Sequence, residues 1–445
     1  IALGNGRRYH GNANEHYESI TPKEEALIAA LLIEYEDGTR ETISTDETWM
    51  TKGSFIRYSD IYHGETIDAR FTDKKGVPSK ILKWSKSILI SQEGEKIIEH
   101  ERIKPVLIKT PNGEKILDFG QNMTGYVEFK IKGKKGERAV ISHAEVLDAE
   151  GNFYTDNLRS AKAQAGFICD GEEHIHKSKH NFFGFRYIRL ENWSDEVKKE
   201  NFTAVVVHSD MKRTGYFECS DERINKLFSN IIWGQKSNFL DVPTDCPQRD
   251  ERLGWTGDAQ VFFRTASFLG HVENFFDKWL KDLSADQYED GTMPRVIPDI
   301  YDKKRRGRVE ACGWADAATI IPWQHYMAYG DKSILEQQWE SMKAWVVYVI
   351  SQSPDYLWNT GWHYGDWLFY SVNNDNAGNS AVTYTPLVQQ CFFDNSATIM
   401  SKAAEVLGKG EDATYYADVA RKAKEAFCEN YLTPAGMLVS STQTA

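Results

Sequence analysis

The sequence lacks several features that would assign it at once to a class of protein. It has no apolar run of about 18 residues, the length of a membrane-spanning helix, so no membrane span is expected. Its six cysteines are scattered without a CxxC pair, which argues against a zinc site or a disulfide framework and predicts reduced, buried thiols. No basic-then-apolar leader can be read at its beginning, and we expect the chain to be part of a longer protein.

Basic residues are fewer than acidic ones, 53 against 65. The formal net charge is −12, which argues against nucleic acid or an anionic membrane as the main partner. Aromatic residues make up 13% of the chain and include 13 Trp, and their flat rings suit both sugar faces and large cores. A length of 445 residues is too great for one ordinary core, so two or three domains are expected.

The first half of the chain has the pattern of β-strands. Asp37-Gly38 and Asn112-Gly113 each separate two apolar segments, as in hairpins, because glycine accepts the backbone of a tight turn. In YVEFKIK, Val127, Phe129 and Ile131 alternate with charged residues, which predicts one buried and one wet face. We therefore predict two β-sandwich domains, at residues 1–100 (partial) and 101–214.

After about residue 215 the apolar residues recur with the period of a helix. Ser220 is the predicted N-cap of the first helix, and two later apolar faces are long enough to predict buried helices. Helices without intervening strands favour a helical barrel or a large bundle over residues 215–445. The members of the two faces are Val272, Phe275, Phe276, Trp279, Leu280 and Leu283, and Leu335, Trp339, Met342, Trp345, Val346, Val349 and Ile350.

The segment TDCPQRDERLGWTGDAQ, Thr244 to Gln260, carries four carboxylates, two guanidiniums and a tryptophan on backbone broken by proline and glycine. It fits either a salt-bridge network or a glycosidase site, where one protonated and one ionised carboxyl group flank the scissile bond. Crowded acids beside an indole suit that chemistry, but the residues alone do not choose between Asp250 and Glu251 as proton donor. Asp258 falls in the first turn of a helix for which Thr256 is the predicted N-cap, which suits an ionised acceptor.

Three further groups of residues have both a structural and a functional interpretation. CGWADAATIIPW and TGWHYGDWL each combine Trp with Asp around glycine, which is typical of helix-end packing and also of sugar pockets. HIHKSKH places His174, His176 and His180 at even spacing, which predicts one face of a surface strand. No Asp, Glu or Cys with ligand spacing accompanies them, so a metal site is not predicted.

DVPTDCPQRDERLGWTGDAQ closely resembles the signature of bacterial α-L-rhamnosidases, glycoside hydrolase family 78. SDIYHGETIDAR, DFGQNMTGYVEFKIKG and AEVLDAEGNFYTDNLRSA resemble the β-domains of that family, and GWADAATIIPW and YGDWL resemble its (α/α)6 barrel. The resemblance covers almost the whole chain. It implies N-terminal β-sandwich domains followed by an (α/α)6-barrel catalytic domain, incomplete in residues 215–445.

The resemblance also implies hydrolysis of terminal α-L-rhamnose with inversion and without a cofactor or catalytic metal. Glu251 matches the general acid of the family. The family's general base lies well after a QTA segment, which here is Gln443 to Ala445, so no residue of this chain matches it. The positions that match rhamnose-holding residues are Asp245, Arg249, Trp255 and Asp258, with Trp314, Trp362, Asp366 and Trp367 as further pocket candidates.

Two other functions compete with this one. The chain could belong to another (α/α)-barrel enzyme acting on a different sugar, or to a non-catalytic sugar-binding protein with a decayed barrel. The set Asp245, Glu251 and Asp258 argues against decay, because a binding module needs no proton donor. The expected partners are rhamnose-containing glycosides or oligosaccharides, with no nucleic acid and no membrane, and a homodimer is compatible with the sequence.

Overall fold

The computed structural model describes residues 26–72, 75–83, 85–194, 196–300, 311–367 and 383–445. These residues form two compact units. The first comprises the described residues of Ile1–Gln92, Glu99–His208 and Pro247–Asp250; the second comprises Glu93–Ile98, Ser209–Cys246 and the described residues of Glu251–Ala445. No helix in the described part is long and apolar enough to cross a membrane.

The chain before the first helix is rich in strands. Ten of them form one sheet in the order β4-β5-β11-β10-β13-β9-β14-β7, with β8 and β12 also paired to β9. The strands are β1 (Ala30–Glu34), β2 (Arg40–Ser44), β3 (Met50–Thr51), β4 (Ile56–Asp60), β5 (Gly64–Asp68), β6 (Val77–Pro78), β7 (Ile97–Ile103), β8 (Val106–Lys109), β9 (Lys115–Lys132), β10 (Arg138–Ala144), β11 (Gln164–Ile168), β12 (Glu173–His176), β13 (Phe183–Glu191) and β14 (Phe202–Ser209).

Both predicted hairpins are confirmed. β1 pairs antiparallel with β2 across Asp37-Gly38, and β8 pairs antiparallel with β9 across Asn112-Gly113. The glycines have φ of 82° and 79°, a conformation that side chains with a Cβ rarely adopt. The predicted alternation in β9 is also confirmed, since Val127, Phe129 and Ile131 are at most 3% exposed.

β5 joins the large sheet by parallel pairing with β11, with Ala165 opposite Glu65 and Phe167 opposite Ile67. Glu65 is buried, and its carboxylate accepts hydrogen bonds from the backbone of Lys179 and from His176. Residues 64–68 therefore share one sheet with residues 115–209.

In its described part the second unit is mainly helical; besides the ends of β7 and β14 it contains two short strands, β15 (Phe239–Leu240) and β16 (Val242–Pro243). The predicted succession of sheet-rich and helical regions is confirmed. Its helices are α1 (Glu222–Asn238), α2 (Thr256–Leu269), α3 (Glu273–Asp286), α4 (Ala317–Tyr329), α5 (Ser333–Ser351), α6 (Thr385–Val406) and α7 (Gly410–Tyr431).

The predicted apolar faces form the core of the helical unit. The five predicted residues within α3 and its N-cap residue Val272 are buried, as are those of α5 except the partly buried Ile350. They pack with residues of α2, α4, α6 and α7 in one cluster of buried side chains. Burial of these faces fixes the helices against one another. Candidate residues such as Asp258 and Trp314 lie at or just before the beginnings of α2 and α4.

Four local predictions are wrong. The N-cap of α1 is Asp221, whose carboxylate accepts the Arg223 amide, rather than Ser220. The N-cap of α2 is Trp255, and Thr256 is its first helical residue. β12 ends at His176, so His180 does not share its face. The six cysteines are free, but Cys391 and Cys428 are exposed and Cys219 is only partly buried.

Candidate active site

The carboxylate-rich segment begins directly after β16 and ends at α2. Two hydrogen bonds close it into a loop, from the Asp245 amide to the Leu253 carbonyl (3.1 Å) and from the Leu253 amide to Asp245 Oδ1 (2.9 Å). Its far end pairs with a neighbouring segment, where the Thr256 amide donates to the Arg295 carbonyl at 2.9 Å. The irregular backbone predicted from proline and glycine is therefore fixed by specific hydrogen bonds.

The loop lies beside a cavity of about 730 Å³ within the second unit. Asp245 and Asp258 contribute to its wall. Three more predicted residues from distant parts of the chain also line it, namely Trp314, Asp366 and Trp367. Glu251, Trp255 and Trp362 are not part of the wall. Five of the predicted site residues therefore meet at one cavity.

Glu251 lies next to the cavity residue Asp245. Potential ligand atoms of Asp245, Cys246 and Glu251 lie within 4.8 Å of one another, so two carboxylates are crowded together beside a thiol. Oε1 of Glu251 accepts a hydrogen bond from the indole N–H of Trp255 at 2.9 Å. The Cys246 Sγ accepts the Arg252 amide at 3.4 Å, so the thiol is engaged in closing the same loop.

Asp250, the neighbour of Glu251, has a different environment. It is 3% exposed, and its Oδ2 accepts hydrogen bonds from the amide and the hydroxyl of Ser160, both within the first unit. A carboxylate held in this way anchors backbone and is closed to a substrate. Arg249 also belongs to the first unit and is partly buried.

The four tryptophans of the predicted site share one neighbour, Tyr364. Its ring centroid lies 4.3 Å from that of Trp314, 4.7 Å from Trp362, 5.0 Å from Trp367 and 6.3 Å from Trp255. The Tyr364 hydroxyl accepts a hydrogen bond from Arg295 Nη1 at 2.8 Å. Tyr364 and Arg295 were not among the predicted site residues, although Tyr364 lies within the segment YGDWL.

Trp314 is held from two sides. A Cβ on Gly257 would lie 2.8 Å from its indole, so only glycine at this point of α2 allows the ring to approach. The turn that carries Trp314 is fixed by the fully buried Asp316, which accepts the Gly313 amide (2.8 Å), the Trp345 indole (3.0 Å) and the Ser396 hydroxyl (2.7 Å). Burial raises the pKa of Asp316, while these donors oppose that rise.

Asp366 lies at another part of the cavity wall, where its Oδ2 accepts the hydroxyls of Thr383 and Thr444, both at 2.9 Å. His363, three residues earlier, is 5% exposed and links two loops. Its Nδ1 accepts the Cys312 amide and its Nε2 donates to the Thr360 carbonyl, both at 2.9 Å. This arrangement requires the neutral ring, and burial lowers the pKa of His363 below its usual 6.5.

Three family models together match almost the whole chain. The bacterial α-L-rhamnosidase six-hairpin glycosidase domain matches residues 212–445, the concanavalin-like domain matches 108–208 and the α-L-rhamnosidase N-terminal domain matches 1–101. An α-L-rhamnosidase of Formosa agariphila is 37% identical over 427 residues, which are 91% of this chain and 45% of that protein.

Solved structures of α-L-rhamnosidases are also similar to this chain. The native α-L-rhamnosidase of Aspergillus terreus superimposes with a TM-score of 0.88 at 34% identity, over 94% of this chain and 50% of that one. The Streptomyces avermitilis α-L-rhamnosidase complexed with L-rhamnose gives 0.83 at 33% identity, over 93% and 40%. The chain thus spans about half, or less, of the length of these relatives.

Replacing Gly257 by alanine tests the close packing of the Trp314 indole against α2. The added methyl group would overlap the indole, so we expect Trp314 to shift, the near-ultraviolet circular dichroism to change, and stability to fall by about 1–3 kcal/mol. Gly234→Ala on α1 is the matched control, because a Cβ there meets nothing within 4 Å. An unchanged spectrum for Gly257→Ala would contradict the close approach.

The buried His363 predicts a pH dependence of stability. Because its folded-state pKa is lowered, the unfolded chain binds more protons, so its contribution to stability is present above pH 6.5 and is lost as pH falls below that value. Relative to wild type, His363→Gln should be less stable at pH 8, where the Cys312 amide loses its acceptor, and this deficit should shrink towards pH 5.5. Melting temperatures of both proteins measure it; a deficit independent of pH would contradict the prediction.

Proposed function

The chain belongs to the bacterial α-L-rhamnosidase family, and from this premise we propose that the full-length protein hydrolyses terminal α-L-rhamnosides with inversion. The observation that carries the proposal is the close pair of carboxylates formed by Asp245, in the wall of a cavity lined with tryptophan, and the adjacent Glu251. A solved relative of 33% identity holds L-rhamnose. The proposed substrates are rhamnose-containing glycosides or oligosaccharides.

Glu251 is the proposed general acid. It is partly buried, it stands beside a cavity carboxylate, and its indole partner orients it. Asp250, which the sequence left as an alternative, is closed off by burial and by Ser160. The environments of these two neighbours therefore favour Glu251 as the residue that gives its proton to the leaving oxygen.

The other polar and aromatic residues are proposed to hold the sugar. Asp245, Asp258 and Asp366 would accept its hydroxyl groups, as carboxylates in sugar pockets do, while Trp314 and Trp367 would pack against its apolar face. Asp258 lies exposed in the first turn of α2, where the helix dipole favours its ionised form. For Arg249 and Trp255 the proposed role as sugar ligands rests on the family signature alone, and Trp362 stays a pocket candidate from the segment TGWHYGDWL.

The general base is proposed to come from residues that follow Ala445. Inversion needs a second carboxylate about 6.5–9.5 Å from the acid, with one water between it and the sugar. Asp245 lies closer than that to Glu251, since a carboxylate oxygen of each is within 4.8 Å of the other. The relatives are longer than this chain, which leaves room for the missing carboxylate.

We also propose that the helical unit is part of an (α/α)6 barrel, with domain boundaries near residues 100 and 214. The limits of the three family models support these boundaries. Apolar side chains on α1 and α2 are exposed, Leu227 at 58%, Val261 at 78% and Phe268 at 66%, as expected of faces that further helices cover.

Substitution of the proposed acid is the direct test. Glu251→Gln in the full-length protein should lower kcat for an unactivated rhamnoside by about 10²–10⁴-fold, the usual contribution of acid catalysis. The loss should be smaller for aryl rhamnosides with acidic leaving groups, which need less protonation. Equal turnover of a rhamnosyl disaccharide by mutant and wild type would refute the assignment of Glu251 as the acid. Activity of the wild type only on another glycoside would refute rhamnose as the substrate sugar.

A protein of residues 1–445 tests the position of the base. It should hydrolyse α-rhamnosides at least about 10²-fold more slowly than the full-length protein, because it lacks the carboxylate that activates water. Circular dichroism should first show that it is folded. Full activity in this shorter protein would place the base among residues 1–445 and contradict the proposal.

A further inference from the structure

We propose that Trp255 is a positioning residue for the proton donor: its indole N–H fixes Glu251 and stabilises the carboxylate left after proton transfer, while Tyr364 seats the indole ring. The proposal rests on the proposed function, in which Glu251 is the general acid. It assigns to Trp255 a role beyond contact with the sugar, and to Tyr364 a role that its sequence position did not reveal.

The direction of the hydrogen bond carries the first step. An indole N–H can only donate, so Glu251 Oε1, 2.9 Å away, is the acceptor, and the transferable proton of the acid is carried by Oε2. The two residues are four positions apart on irregular backbone, where a long glutamate side chain has several rotamers. One directional bond thus restricts the rotamer of Glu251 and fixes Oε1 as the oxygen that accepts the indole N–H.

The second step concerns the charge that develops during the reaction. As the glycosidic C–O bond breaks, its electron pair goes to the leaving oxygen, which takes the proton from Oε2. Glu251 then becomes a carboxylate, and a hydrogen bond to an ionised oxygen is about twice as strong as one to a neutral oxygen. The Trp255 N–H therefore stabilises the transition state more than the ground state, which is the condition for raising kcat.

The carboxylate of Asp245 has the opposite effect to the Trp255 N–H, because it favours the protonated form of Glu251. The carboxylate of Asp245 lies within 4.8 Å and disfavours a second negative charge on Glu251 before the reaction. The same loop also carries the Cys246 thiol, Arg249, Asp250 and Arg252, and the neighbouring segments carry Asp258, Arg295, His363, the Tyr364 hydroxyl and Asp366. Asp245 thus helps to keep the proton on Glu251, and Trp255 helps to release it.

The third step concerns the contacts that hold the Trp255 indole in place. Trp255 meets the Tyr364 ring edge to face, with an interplanar angle of 79°. Tyr364 is 6% exposed, and its hydroxyl is held by Arg295, whose carbonyl accepts the Thr256 amide that follows Trp255. The ring of Trp255 is therefore contacted by Tyr364 and the backbone next to it is bound by Arg295, and a hydrogen bond links these two residues, so the indole N–H is held in one direction.

Trp255→Phe in the full-length protein tests the proposal, because it retains an aromatic ring and removes only the donor. We expect kcat for poor leaving groups to fall by about 10–100-fold, the contribution of a hydrogen bond to a charged group, with KM changed less than threefold. The alkaline limb of the kcat/KM profile should move to higher pH, because the ionised form of the acid loses its donor. Tyr364→Leu should change kcat and the limb in the same directions.

Trp279→Phe is the matched control. It removes another buried indole N–H, which donates to the Ile297 carbonyl at 3.3 Å, so it should lower the melting temperature without moving the alkaline limb. Trp255→Phe with wild-type kcat and an unmoved limb would overturn the proposal. A shift of the limb by the same amount in Trp279→Phe would overturn it as well.

A measurement that does not depend on activity separates this proposal from the proposed function. In full-length protein with ¹⁵N-labelled tryptophan, the indole signal missing from Trp255→Phe should shift with pH in wild type and stay fixed in Glu251→Gln. A signal that ignores pH, or that shifts equally in Glu251→Gln, overturns the pairing. A wild-type protein inactive on every α-rhamnoside would refute the proposed function alone, and the indole titration would still decide the pairing.

Discussion

The site depends on the pair of hydrogen bonds that joins Asp245 to Leu253. Through them one residue uses both its amide and its carboxylate to turn the chain back on itself. The turn is tight enough to require a positive φ of 54° at Arg252, a conformation unusual for a residue with a Cβ. Because of this turn Glu251 lies beside Asp245. The Trp255 indole that donates to Glu251 follows four residues later in the chain.

The helical core supplies the support for this loop. α2 begins where the loop ends, and its start is fixed by bonds to the segment around Arg295 and by burial of Phe263 and Ala266. The turn carrying Trp314 is fixed independently by Asp316, whose burial is compensated by three hydrogen-bond donors. Two rigid elements thus meet at Gly257, where the missing side chain makes room for the ring.

The sequence predicted those parts of the structure that depend on local periodicity. The buried faces of α3 and α5 follow from apolar spacing, because a helix must bury one side against its neighbours. The cap of α1 was misplaced by one residue, since Ser220 and Asp221 are both good caps and only the folded backbone shows which one accepts the amide. His180 was misplaced because even spacing does not reveal where a strand ends.

The candidate site was recognised from its signature, but its internal order was not predictable from the sequence. Tyr364 contacts Trp255 and Trp314, which are separated from it by about a hundred and by fifty residues of sequence, and no local pattern reports such a meeting. The choice between Asp250 and Glu251 likewise depends on tertiary neighbours, because the two acids are adjacent in the chain. Ser160, far earlier in the sequence, binds one of them and so distinguishes the pair.

The surroundings of the carboxylates also bear on the non-catalytic alternative. A sugar-binding protein needs acceptors such as Asp366, whose Oδ2 is already oriented by two threonine hydroxyls. It has no use for a second carboxylate crowded against Asp245, because like charges at that spacing repel and cost stability. A chain that had lost catalysis would gain by replacing Glu251, and the indole donor directed at it would then have no partner. The hydrogen bond between Trp255 and Glu251 is thus a feature that the proposed proton donor requires and that a sugar-binding module does not.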